Sequence, residues 1–334
     1  LSRRKFLNQA RHKISYILRN TNPIYSLLVI CSGFFAASIT ACLNVAHNEY
    51  CLSQILFVRY FPLVLISYFL LKRSHVSLKT SNARLTVARC LCGIGAVVLY
   101  IEAAQNISII NAQTLYYTAP LFTGIFFCLY AIHQKRQVWL KVVPLIIFGF
   151  LGVVLVNCPS FNAVGFGYSF AALVSALFLS MASLSLKGLG RRGEPSERTI
   201  FYFSLTCFIT AVALFPLESK SLKSFLDPIF ILLALFTVLQ QFCVTLGWGR
   251  GSTLLNCVFQ FSGVPFAVMF GVLFFNERLG LSATLGILIL LASELAAVMI
   301  MNMSAPPEKR ERCEKRNRYS QPRKAEEKAR TIGS

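Results

Sequence analysis

The sequence predicts an all-α integral membrane protein, with ten transmembrane helices forming two inverted five-helix repeats. Three observations predict it. Hydrophobic residues make up 55% of the chain and charged residues only 14%, against roughly 25% charged in soluble proteins. The apolar residues fall into ten runs, nearly all reaching the roughly 17–25 residues a helix needs to cross the hydrocarbon core. Finally, Asn111 and Asn256 stand 145 residues apart, as do Pro120 and Pro265, which marks an internal repeat.

The elements follow in order. Residues 1–24 are basic and polar, with Phe6, Leu7, Ala10, Ile14, Ile17 and Leu18 at helical spacing, the pattern of a short helix lying on a membrane surface. The apolar runs lie near 25–45, 52–71, 85–104, 110–132, 139–157, 164–186, 199–217, 228–248, 253–275 and 279–301. A β-barrel would instead require alternating strands of about ten residues. Short connections make neighbouring spans antiparallel. Residues 303–334 are charged and Pro-punctuated, the composition of a disordered, solvated tail.

The net charge of +20 does not point to nucleic acid. The basic residues crowd the ends and alternate loops: 72–84 (Lys72, Arg73, Lys79, Arg84), 133–141 (Lys135, Arg136, Lys141) and 187–198 (Lys187, Arg191, Arg192, Arg198). The opposite loops are nearly neutral. This bias puts both termini in the cytoplasm and the chain in the cell (inner) membrane. Most cysteines sit inside apolar runs, where the thiol is a small hydrophobe. No metal-ligand spacing and no cofactor motif is present.

Holding the offset at 145 also places Asn157 on Asn302, at the ends of spans five and ten. The chain therefore divides into repeats over 25–157 and 158–302. Five is odd, so the second copy enters the membrane from the opposite side, an architecture shared by many secondary transporters. Each proline removes a backbone hydrogen bond, and in lipid a freed carbonyl needs a partner or a cavity. Pro120 and Pro265 are thus expected to kink spans four and nine beside a central pocket.

The residues also carry a family resemblance. "RYFPLVLISYFLL" at 59–71, "NAQTLYYTAPLF" at 111–122 and "SGVPFAVMFGVLFFNERLG" at 262–280 resemble the drug/metabolite transporter superfamily, in its ten-span EamA-type class. The resemblance implies a secondary carrier exchanging or proton-coupling small metabolites. The basic tail and the Phe- and Cys-rich spans look most like carriers of S-adenosylmethionine, which would exchange it for S-adenosylhomocysteine. The alternative is proton-coupled export of drugs, amino acids or other metabolites. One departure stands out: the family's acid after the second proline is Glu277, while its counterpart in the first copy is Ile132.

The candidate site residues follow from cost and chemistry. Glu294 lies well inside span ten, where a carboxylate costs several kcal/mol unless paired, hydrated or protonated. It would bind a cationic group or carry a coupling proton. Arg59, inside span two, needs a counter-ion: Glu294, Glu102 or a substrate carboxylate. Gln113, Tyr116 and Tyr117 precede Pro120 with hydrogen-bonding groups and aromatic faces suited to a flat base or a sulfonium. Gln260 stands in the comparable stretch of the second copy, and Gln241 and Trp248 would complete the wall. Arg89, near the start of span three, is expected to snorkel to headgroups. Asn276 and Glu277 are expected to cap span ten. The stripe Ala172, Ala176, Ser180 permits close helix approach.

Three function classes compete. A carrier for a small molecule fits the repeat. A membrane-embedded enzyme lacks support, since no HExxH, GxSxG or paired-acid motif occurs. A channel would require a filter or a ring of subunits. Expected partners are the solute and the lipid bilayer; the oligomeric state is not legible.

Overall fold

The computed structural model describes residues 23–303, apart from 47–49, 134–138, 158–162, 218–226, 252–255, 257–258, 261 and 279. The expectations for the N-terminal segment and the C-terminal tail fall outside the described residues. Every described element is helical. α1 runs Pro23–Val45, α2 Leu52–Arg73, α3 Ala83–Asn106, α4 Ile109–Tyr116, α5 Ala119–His133 and α6 Trp139–Asn157. α7 runs Ala163–Arg191, α8 Ser196–Leu214, α9 Pro228–Arg250, α10 Gly263–Phe275 and α11 Leu281–Met303.

Six of these, α1, α2, α3, α7, α8 and α9, are long and apolar enough to cross a membrane. The other four sequence runs map onto α4 with α5, α6, α10 and α11. The burial pattern is that of a bundle solvated by lipid. Leu65, Phe69, Ile147, Leu273 and Phe274 are each more than half exposed, far more apolar surface than water tolerates in one molecule. Ser26, Thr40, Ser53, Gln113, Thr237 and Gln241 are each 4% exposed or less. Polar side chains face inward because lipid offers them no partner.

Helices distant in sequence pack closely. α3 lies along α7, α9 along α1, α6 along α11 and α2 along α8; α4 meets α10. Much of the resulting core is one cluster, including Leu43, Ile55, Leu56, Tyr60, Leu63, Ile101, Phe203, Phe230 and Leu290. Of the small-residue stripe on α7, Ala172, Ala176 and Ser180 are all buried, and the Ser180 hydroxyl is 2.8 Å from that of Thr123 on α5.

The prolines act differently from the expectation. Span four is not kinked but broken. α4 ends at Tyr116, Tyr117 and Thr118 form a turn, and Pro120 is the second residue of α5. At the position 145 residues further on, Ser262 is the turn and Pro265 the third residue of α10. A proline in the first helical turn loses no hydrogen bond, because that N–H has no intrahelical acceptor. Both prolines therefore begin a new helix after a break.

Candidate functional site

The two breaks meet. Gly263, the first residue of α10, lies directly under the ring of Tyr117, and a Cβ on Gly263 would collide with that ring. Ala36 of α1, Tyr117 and Val264 pack together, with Tyr116 alongside. Only glycine permits this approach. Tyr116 turns the other way, its ring 4.2 Å from that of Tyr100 on α3.

Tyr100 and Tyr116 face a central cavity that is partly open to solvent. Its walls include Ala36 and Ile39 of α1, Arg59 and Tyr60 of α2, Arg89 and Gly93 of α3, Ser183 of α7, Phe203 of α8, and Gln240 and Gln241 of α9. Four aromatic rings and two guanidiniums therefore share one space.

Each polar wall residue is positioned by a specific contact. Arg59 Nε donates to Thr237 Oγ1 at 2.9 Å, and its guanidinium carbon lies 5.4 Å from the centre of the Tyr60 ring. The Arg89 guanidinium sits 4.2 Å above the Phe203 ring. Gln241 Nε2 approaches Thr245 Oγ1 at 3.3 Å, one turn further along α9. Behind the tyrosines, Thr40 Oγ1 donates to Gln113 Oε1 at 2.8 Å, and the Tyr100 hydroxyl donates to the same oxygen. This knot ties α1, α3 and α4 together one turn before the first break.

The sequence candidates thus divide. Arg59, Tyr116 and Gln241 line the cavity, and Gln113 supports its wall from behind. Tyr117 packs at the crossing of the breaks. Trp248 is 1% exposed and packs against Val29 and Leu186 rather than lining the cavity. Gln260 is buried but is not part of the wall. Glu294 is helical within α11, and its side chain lies outside the described residues. Arg89 corrects the snorkelling expectation: it is 7% exposed and faces the cavity. Tyr60, Tyr100, Phe203 and Gln240 escaped the sequence reading. An Arg-Tyr pair in mid-span was the available signal for Tyr60.

Glu277 caps a helix, but not the one expected. Its Oε1 accepts from Ile109 N at 2.8 Å and its Oε2 from Ile110 N at 3.3 Å, so it closes the start of α4, not of α11. Ser108 adds a third bond there, its Oγ accepting from Asn111 N at 3.3 Å. Asn276 ends α10 in the left-handed conformation, φ 50°, a C-terminal role. The α10–α11 turn folds over the first half of the chain, which adjacency in sequence does not reveal. Burial pushes the Glu277 carboxyl above its ordinary value, against the two backbone bonds that favour its ionised form.

At the other end of the bundle, Asn82 before α3 donates through Nδ2 to Glu194 Oε2 at 2.9 Å. Arg198 pairs with Glu194 Oε1, also at 2.9 Å. Burial disfavours the Glu194 carboxylate, but hydrogen bonds from Asn82, Thr80 and Arg198 outweigh it and hold its carboxyl below the usual value.

No known protein-family profile matches the chain. It is 24% identical over 260 residues to the pseudopaline exporter CntI of Pseudomonas aeruginosa, in each of two strains. That alignment covers 75% of this chain and 87% of the relative. A solved crystal structure, described only as a protein, superposes with a TM-score of 0.61 at 15% identity. It covers 83% of this chain and 98% of its own length, and the likeness is one of fold. The exporter relative and the six apolar helices support a multi-pass membrane protein.

Proposed function

We propose that this chain is a secondary transporter that exports a small organic solute by alternating access. The observation that carries the proposal is the meeting of two helix breaks, 145 residues apart in sequence, beside one central cavity. Secondary carriers place their site where discontinuous helices of two repeats converge. The helix pairings support the same reading. Taking α4 with α5 as one span, exchange each span for the one five later. α3 with α7 then becomes α9 with α1, while α2 with α8, α6 with α11 and the α4–α10 contact map onto themselves. The proposal includes ten spans in two inverted EamA-type repeats over 25–157 and 158–302, with both termini in the cytoplasm. Similarity to an exporter favours outward movement.

Exchange of S-adenosylmethionine for S-adenosylhomocysteine is the second reading. Tyr60, Tyr100 and Tyr116 suit a flat base. The wall as described offers no acid to the sulfonium or the ammonium, which counts against a net cation.

The test is counterflow in proteoliposomes holding the full chain. Vesicles preloaded with an unlabelled compound are given the labelled one outside, across a panel of organic anions, amino acids and S-adenosylmethionine. Saturable, trans-stimulated accumulation of one class is expected. Linear, unsaturable flux would indicate a channel, and chemical conversion of the label an enzyme; either would overturn the proposal.

A further inference from the structure

The cavity contains two positive charges that the described protein does not neutralise. Arg59 and Arg89 are 6% and 7% exposed. Guanidinium keeps its proton, so each brings a full charge out of water. Such a charge is costly unless paired. The contacts described above orient these groups without cancelling them: a neutral hydroxyl for Arg59 and the faces of Tyr60 and Phe203. Arg59 Nη1 and Arg89 Nε have no hydrogen-bond partner among the described residues. No carboxylate is among the described residues of the wall. Glu194 is committed to Arg198 at the start of α8.

The pocket is also shaped around one of these charges. A Cβ at position 93 would strike both the Arg89 guanidinium and the Phe203 ring. Gly93 leaves the space in which Arg89 lies over Phe203, so the guanidinium is held in the cavity rather than stretched toward the surface. Arg59 and Arg89 line the same cavity together with Tyr60 and Tyr116.

We propose that the cavity binds a small organic anion, whose acidic groups take the open donors of Arg59 and Arg89 while its body lies against Tyr60, Tyr100 and Tyr116. This rests on the transport reading only in taking the cavity as the solute site. Planar guanidinium forks recognise acidic oxygens bidentately, and a water-poor pocket strengthens that attraction. A net cation meets two like charges there instead.

The experiment compares two flat probes of similar size and opposite charge on the purified full chain in detergent. They are terephthalate and 1,4-bis(aminomethyl)benzene, at matched ionic strength. Terephthalate at millimolar concentration is expected to raise the thermal unfolding midpoint by several degrees, and the diamine not to. The rise should vanish in the Arg59→Gln/Arg89→Gln double variant. That variant, without probe, should unfold no lower than the unsubstituted chain, because it sheds unpaired buried charge. The Arg59→Lys and Arg89→Lys variants, which keep the charge but not the planar fork, should each keep a reduced terephthalate effect. Stabilisation by the diamine, or no stabilisation by terephthalate, would overturn the assignment. So would a double variant less stable without probe, since hidden partners would then hold the arginines. The two proposals fail separately. Terephthalate binding without any counterflow would leave the anion site and remove the carrier, while counterflow of an organic cation with no terephthalate effect would do the reverse.

Discussion

Replacing Glu277 with Ala should loosen the contact between the two halves of the chain. Glu277 receives two backbone N–H groups at the start of α4, at 2.8 and 3.3 Å. A hydrogen bond to a charged group contributes about 1.5–3 kcal/mol, and loss of a helix cap costs about 0.5–2 kcal/mol. The longer contact contributes the smaller share, and Ser108 still holds Asn111 N. Removing a partly buried carboxylate also returns some desolvation cost. The balance is a loss of about 1–2 kcal/mol, or about 1.5–3 °C in a chain of this size. Glu277→Gln retains one acceptor oxygen and should lose roughly half as much. The assay is reversible unfolding in mixed micelles, followed by fluorescence of Trp139 and Trp248. The pH dependence supplies a second readout. Because the folded-state carboxyl is raised above 4.5, the folded chain holds a proton that the unfolded chain has released just above that pH. Stability from this group therefore falls as pH rises through that window, and the Gln variant should not show the fall. Ala and Gln variants both equal to the original protein, or a Gln variant as damaged as Ala, would refute the assignment of Glu277 as the cap of α4.

Other outcomes follow from the same contacts. Gly263→Ala should cost about 1–3 kcal/mol by overpacking against Tyr117; adding Tyr117→Ala should return most of it, as a double-mutant cycle of unfolding energies would measure. Glu194 gives the opposite pH sign to Glu277. Its carboxyl is held below 4.5, so its stabilisation is present above that value and lost as pH falls further; Glu194→Gln should flatten the acid limb of a stability–pH curve. Trp248→Ala should cost about 3–5 kcal/mol because a fully buried indole leaves a cavity, yet solute selectivity in counterflow should not change, since Trp248 is not part of the wall.

The elements were legible where chemistry repeats along the chain. Six long apolar helices stand where apolar runs were expected, because lipid imposes length and polarity on each span locally. The breaks were half legible. Pro120 and Pro265 located them, but whether a proline bends one helix or opens the next depends on which N–H groups the turn leaves free. The site was legible only in part, because it is assembled by packing. Arg59 was recognisable as a charge in mid-span. Arg89 was not, since near a helix end the same side chain reaches headgroups equally well; Phe203, 114 residues away in sequence, decides the matter. Glu277 was read as a cap on the nearest helix, whereas its partner start lies 167 residues back at Ile110. Trp248 and Gln260 looked like wall residues because near-uniformly apolar spans do not reveal which face turns inward.

The clasp made by Glu277 has no twin at the matching position among the described residues. At the matching position of the first copy stands Ile132, about half exposed and with no side-chain oxygen to offer. In the proposed carrier, two like halves facing opposite ways would otherwise rest equally often in either posture. A latch of about 1.4 kcal/mol on one side alone shifts such a balance tenfold. In the carrier proposed above, such a latch would keep one particular side shut at rest, and loading from the other side would be the default step of the cycle.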